Sequence, residues 1–167
     1  MSKTEQNLKE AFAGESQANR KYLAYAVAAE KEGLKQVSKL FRAAAAAETI
    51  HAHAHWKNLG MIKDTAANLQ DALEGETYEF TKMYPVMKQE AEAEGNAAVA
   101  KYFGWANAVE EVHANLYKKA LENPAALAET DYYVCKVCGY TSEGPCEKCP
   151  VCGGGAMAFF KVDETAL

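Results

Sequence analysis

Glu48 and His51 stand three residues apart in the alanine-rich run AAAAAETIHAHAH, and the same Glu-x-x-His spacing returns at Glu110 and His113 in WANAVEEVHANLY. Each pair follows a glutamate placed about one helix-length upstream. Glu15 lies 33 positions before Glu48, and Glu76 lies 34 before Glu110, so the chain carries one pattern twice. On a helix of 3.6 residues per turn, positions three apart share a face, and each Glu-x-x-His aims a carboxylate and an imidazole at one spot. One glutamate from each of two helices plus one Glu-x-x-His from each of two others is the ligand set of a bundle-held pair of iron or manganese ions. A single Glu-x-x-His is as easily a solvated helix face. The matched repetition makes the case.

Glu15 falls on the stripe Leu8, Phe12, Asn19, Tyr22, and Glu48 on the stripe Phe41, Ala44, so carboxylates occupy positions expected to be core. Unpaired buried carboxylates are expensive, and several converging in one core call for cations. Carboxylate oxygen with neutral imidazole suits iron or manganese, whereas calcium or magnesium would not recruit two histidines. Glu79, three residues after Glu76, is either a fifth carboxylate able to reach the site or a surface residue. Glu111 faces off the stripe. His53 reads as a surface residue, and His55, one turn past His51, either as exposed or simply packed or as a neighbour just outside the metal ligands. Tyr22 and Tyr84 fall two turns after Glu15 and Glu76, where their phenols either hydrogen-bond metal ligands or a bound oxygen species, or act as ordinary core.

A second constellation occupies residues 135–153, CKVCGYTSEGPCEKCPVCG. Cys135 and Cys138 form one CxxC and Cys149 and Cys152 another, each followed by a glycine that lets the turn fold back toward the sulfurs. Two such knuckles make a tetrahedral four-thiolate site, which accepts zinc or a single iron. A zinc ribbon acting only as a folding staple is the plain alternative for a segment with so little core. Tyr132, Tyr133, Tyr140, Phe159 and Phe160 are its expected apolar filling, and Cys146 is expected to be a free thiol.

The elements that must position these groups are helical. Apolar residues recur at helical spacing from Thr4 to about Glu32, with Gly33 as a stop, and again from Val37 to Gly60. Thr65 reads as the N-cap of a third helix reaching Gly95, and Asn96 as the cap of a fourth reaching Leu121 before Asn123-Pro124. Pro85 removes a backbone bond to Thr81 inside the third helix. It should kink or locally widen that helix, or else the helix ends near Tyr84 and another begins. Gly75 and Gly104 each cost about 1 kcal/mol relative to alanine unless a close approach requires them.

With 167 residues, 49% of them hydrophobic, the chain has material for a substantial core. A net charge of −5 offers no basic patch for nucleic acid, and no apolar run is long enough to cross a bilayer. MSKTEQNLKE lacks the apolar centre of a signal peptide, so the expected location is cytoplasmic. In a reducing compartment the clustered cysteines favour metal over disulfides.

Taken in order, AGESQANRKY, AETIHAHAH, NLQDALEGETYEFTKMYP, VEEVHANLY and CKVCGY…CPVCG resemble the blocks of the rubrerythrin family over nearly the whole chain. The resemblance implies a mainly α protein: a ferritin-like four-helix bundle over 1–123, a linker over 124–131, and a rubredoxin-like, β-rich metal-binding domain over 132–167. It implies di-iron ligands at Glu15, Glu48, His51, Glu76, Glu79, Glu110 and His113, with His51 and Glu79 exchanging as ligands when the oxidation state changes. It also implies tyrosines just outside that shell at Tyr22 and Tyr84, and a rubredoxin-type iron at Cys135, Cys138, Cys149 and Cys152. The implied activity is reduction of hydrogen peroxide to water by two non-haem irons, in defence against oxidative stress. Electrons would come from an external rubredoxin or NAD(P)H-dependent reductase through the cysteine-held iron, with zinc as a possible substitute there.

A ferritin-like bundle runs its third helix parallel to its second, which requires a connector that climbs the bundle. The gap from Gly60 to Thr65 is too short for that climb, so a homodimer is expected in which helix pairs are exchanged between chains, unless the bundle is simply up-and-down or the third helix starts later. Two rivals use the same residues differently: a ferroxidase or iron-handling protein, and a non-catalytic helical module stabilised by zinc.

Overall fold

The computed structural model describes residues 1–162; residues 163–167, the end of the expected C-terminal domain, lie outside the described residues. The described residues divide into two compact units, Met1–Lys63 and 64–162.

The first unit is a helical hairpin. The Ser2 hydroxyl accepts from the Glu5 amide at 3.1 Å while the Glu5 carboxylate accepts from the Ser2 amide, a reciprocal cap that opens α1 (Lys3–Lys31). Gly33, at φ +80°, takes the left-handed conformation that ends α1, and α2 (Lys35–Asn58) returns alongside. Their seam is built of small side chains: Ala26, Ala29, Ala45 and Ala52 are buried. Asn19, also buried, ties the two helices by donating from Nδ2 to the Ala45 carbonyl at 2.7 Å and to Thr49 Oγ1 at 2.8 Å.

The second unit begins with a long helical arm. Asp64, not Thr65, is its N-cap, accepting from the Ala67 amide at 2.8 Å, so Thr65 is the first helical residue. Both residue types cap well; the carboxylate adds a favourable charge at the helix N-terminus. The arm runs as α3 (Thr65–Tyr78), a π-helical turn over Glu79–Met83, and α4 (Tyr84–Ala93). The expected widening ahead of Pro85 is thus present, and the restart at Tyr84 is part of the same event: the missing proline amide is accommodated by a wider turn. Asn96 caps α5 (Ala97–Glu122), as expected. Neither helix glycine answers to a close approach among the described residues. Gly75 faces open space and Gly104 meets only the Lys88 side chain at 3.8 Å.

After a 3-10 turn at Pro124–Ala126, three short antiparallel strands form a ribbon in the order β2-β1-β3: β1 (Tyr132–Cys135), β2 (Thr141–Glu143) and β3 (Phe159–Lys161). Val134 is the register residue, opposite Thr141 on one side and Phe160 on the other. Of the expected aromatic filling, Tyr140 and Phe159 pack edge to face, 6.4 Å between centroids, against the buried cysteines. Phe160 points outward, as strand alternation demands once Phe159 faces in. Helix α5 supplies what the strands cannot, through buried Val109 and the neighbouring Trp105. No helix among the described residues is long and apolar enough to cross a membrane.

Candidate metal centres

Each Glu-x-x-His meets its upstream glutamate. In the first unit, His51 Nδ1 lies 2.8 Å from Glu48 Oε2 and 3.8 Å from Glu15 Oε1. In the second, His113 Nδ1 lies 2.8 Å from Glu110 Oε2 and 3.8 Å from Glu76 Oε1. The two triads are geometric copies, and in each the three donor atoms fall within 4.8 Å of one another. Their surroundings differ. The His51 side chain is 55% exposed, whereas His113 is 26% exposed because the ribbon reaches it.

That burial shows in the electrostatics. Desolvation, followed by the neighbouring Glu110 carboxylate, pushes Glu76 up to about 7. His113 is raised chiefly by its hydrogen bond to Glu110, against the opposing effect of burial, with further support from the charges of Glu110 and Glu76. The cluster is therefore short of positive charge. Carboxylate oxygens with one imidazole nitrogen per triad are the donors that a divalent or trivalent iron would take.

This has a consequence for stability. Without metal, the folded chain holds a proton on Glu76 that the unfolded chain sheds above about 4.5, so stability falls as pH rises from there to about 7. His113, also raised, stabilises fully below its ordinary value of 6.5 and less as pH climbs through its folded value. Both push one way. The melting temperature of metal-free protein should decline from mildly acidic to mildly alkaline pH, by a loss of about 1–2 kcal/mol after allowing for solvent screening. Glu76→Gln should flatten most of that slope. A rising melting temperature over the same interval would contradict the clustered carboxylates.

Glu79 stands outside the triads, at the start of the π turn, yet within the field of Glu110, which raises it after burial does. Tyr84 opens α4 beside Phe103, 6.0 Å between centroids; burial first, then Glu110 and Glu79, raise its phenol and keep it protonated. Tyr22 packs near Tyr25 and Phe41 in the first unit. Two neighbours went unseen in the sequence. Tyr117, one helical turn past His113, is raised by burial and by Glu76 and Glu110, and it lines a cavity of about 410 Å³ in this unit with Glu76, His113 and Thr141. Its position at four residues from His113 was the available signal. Thr141 offered none, being 28 positions away on a strand.

The cysteines converge as expected. Cys135 Sγ lies 3.7 Å from Cys152 Sγ, and Cys138 Sγ lies 3.5 Å from Cys149 Sγ. A disulfide would bring sulfurs to about 2.05 Å, while a tetrahedron of metal–sulfur bonds of about 2.3 Å has edges near 3.8 Å. The knuckles repeat each other: Gly139 N donates to Cys135 O at 2.9 Å and Gly153 N to Cys149 O at 3.0 Å, both glycines at positive φ. Burial pushes the Cys149 thiol up, but the amides of Cys152 and Val151 outweigh it and bring it down to about 7, toward the thiolate a metal needs. Cys146 stays out of the cluster, its Sγ donating to the Lys148 carbonyl at 3.1 Å.

Known proteins resemble this chain in sequence. A family model described as Rubrerythrin matches residues 6–121. Nigerythrin of Nitratidesulfovibrio vulgaris is 38% identical over 164 residues, covering 89% of this chain and 81% of that protein. The rubrerythrin of Porphyromonas gingivalis is 36% identical over 184 residues, covering 98% and 92%. A structure of nigerythrin in a mixed-valence state aligns at a TM-score of 0.58 and 34% identity over 97% of this chain and 88% of that one, and a fully reduced, all-ferrous form aligns at 0.58 and 33%.

Proposed function

The chain belongs to the rubrerythrin family, and from that premise we propose that it reduces hydrogen peroxide to water at a di-iron centre, with electrons relayed from an external donor through iron held by Cys135, Cys138, Cys149 and Cys152. The observation that carries the reading is the pair of matched triads, Glu15–Glu48–His51 and Glu76–Glu110–His113, beside a separate four-thiolate cluster. One peroxide consumes two electrons and two protons and yields two waters. Two irons held by the triads would supply the two electrons and the positive charge that weakens the O–O bond, and an iron held by the four cysteines would supply one-electron delivery.

The protein's own groups handle charge and protons. Glu15, Glu48, Glu76 and Glu110 offset the metal charge, with Glu79 as a further oxygen donor on the π turn. Tyr84, held protonated by burial and by Glu110, is positioned to give a proton or a hydrogen bond to the departing oxygen, and Tyr22 is its counterpart one repeat earlier.

We further propose that the complete centre forms in a homodimer with helix pairs exchanged. The connector supports this. The amides of Leu59, Gly60 and Met61 still bond back onto α2, and Asp64 already caps α3, so little of the connector is free to extend. From His51 to the end of α2 and from the start of α3 to Glu76, a parallel third helix would need a climb of about 27 Å, whereas the few free residues extend about 14 Å at most. Large apolar side chains also remain exposed on α2, among them Leu40 and Ile50 at 68% and 69%.

Steady-state turnover with peroxide and with oxygen tests the activity. Peroxide should be consumed faster, with two non-thiolate irons and one thiolate iron per chain by metal analysis. A faster oxygen reaction that releases ferric iron would make the protein an iron handler, and zinc in every site without turnover would make it a metal-stabilised module.

A further inference from the structure

The ring of His113 is engaged on both sides. Nδ1 faces Glu110 and Glu76, so it is the nitrogen that belongs to the triad. Nε2 lies 3.0 Å from Thr141 Oγ1, and the same hydroxyl donates to the Gly139 carbonyl at 3.2 Å. A hydroxyl has one proton to give. With that proton on the Gly139 carbonyl, Thr141 meets His113 as an acceptor; the Gly139 carbonyl also acts on the ring, and both oxygens favour a hydrogen on Nε2. When a metal takes the place of the hydrogen between Nδ1 and Glu110, the lone pair is on Nδ1, where the carboxylates are.

We propose that Thr141 is a positioning residue for the metal centre: its hydroxyl holds the proton of His113 on Nε2 and so presents Nδ1 as the ligating nitrogen. The proposal rests on the reading that the Glu–His triads hold metal. Thr141 is itself well placed for the task. It pairs with Val134 in the ribbon, and two residues along the same strand Glu143 accepts from Lys119 Nζ at 2.7 and 2.8 Å, fixing β2 to α5 one further stretch down the helix. Gly139 closes the first cysteine knuckle, so the hydrogen-bonded chain runs from that knuckle to the histidine. The matching histidine has no such support: among the described residues His51 is engaged only through Nδ1. The two triads thus differ in how firmly their imidazoles are set.

Two variants separate the hydroxyl from the bulk of the side chain, Thr141→Val and Thr141→Ser. Full-length protein with zinc already in the cysteine site is titrated with cobalt(II), read by the weak bands of cobalt held by oxygen and nitrogen. Thr141→Val should bind about 10-fold more weakly, the usual effect of losing the partner of a ligating histidine, and Thr141→Ser should match wild type. In the zinc-saturated protein, the His113 Nε2 proton should exchange slowly in wild type and Thr141→Ser and be lost to rapid exchange in Thr141→Val. Lys119→Met, which cuts the neighbouring ion pair, should leave that proton protected. Wild-type affinity and a protected proton in Thr141→Val would overturn the proposal, as would an equal loss in Lys119→Met, since the hydroxyl would then act only by docking the ribbon. Failure of wild type to bind cobalt outside the cysteines would instead overturn the metal-site reading on which the proposal stands.

Discussion

Cys149→Ser is expected to reduce donor-coupled peroxide turnover to background, while a pre-reduced Glu–His centre still consumes one equivalent of peroxide. Cys149 is buried to 1% exposure, sits 3.5 Å from Cys138, and is the thiol brought down to about 7 by the amides of Val151 and Cys152. A serine oxygen there is a poor ligand for iron or zinc. Tetrahedral thiolate metals contribute about 10–16 kcal/mol in small domains, so the loss also loosens the ribbon, whose core is largely those cysteines with Val109 and Trp105. Cys146→Ser is the matched control, because that thiol lies outside the cluster and should leave turnover unchanged. Sustained steady-state turnover in Cys149→Ser would count against the relay and leave the di-iron chemistry standing by itself.

The second large effect concerns which chains build a centre. Glu48→Ala and Glu110→Ala should each abolish turnover alone, since each removes the carboxylate closest to its histidine. Refolded together in equal amounts, the two inactive variants should recover about a quarter of wild-type activity and of non-thiolate iron. Half the dimers are mixed, and with exchanged helix pairs one of the two centres in each mixed dimer gathers both lesions while the other is intact. Within a single-chain centre every copy keeps one lesion, and nothing is recovered. That null result would remove the exchanged dimer without touching the ligand assignment.

Much of the chemistry was readable because it is local. Glu48 with His51, and Glu110 with His113, needed only the three-residue helical step, and the paired CxxC needed only the knuckle geometry. Pro85 announced a disturbed helix because its missing amide is a property of one residue. What the sequence withheld depends on surfaces that meet across many residues. Val109 and Trp105 read as one face of α5, and nothing in their spacing says that a cysteine ribbon packs on them. Phe160 reads as core in the sequence because two adjacent aromatics cannot be told apart without the strand's phase. Thr141 sits in a turn-rich stretch with no periodicity and acquires its part only when β2 is laid along α5. The cap at Asp64 differs from the expected Thr65 by a single place, since either side chain can accept the amide bond and the backbone decides.

The π turn at Glu79–Met83 settles a small arithmetic discord between the two copies of the repeat. From Glu15 to Glu48 is 33 positions and from Glu76 to Glu110 is 34; from Glu15 to Tyr22 is seven, and from Glu76 to Tyr84 is eight. The second copy is longer by one residue, and the surplus falls between its glutamate and its tyrosine. In an unbroken α-helix, eight steps would swing Tyr84 about 80° away from Glu76, whereas seven bring a residue back to within about 20°. The wide turn absorbs the extra residue and returns the tyrosine to phase. The second copy also carries a carboxylate, Glu79, where the first has none: three residues after Glu15 stands Ala18. The two copies thus differ by one residue, and the difference is lodged beside the Glu76–Glu110–His113 triad.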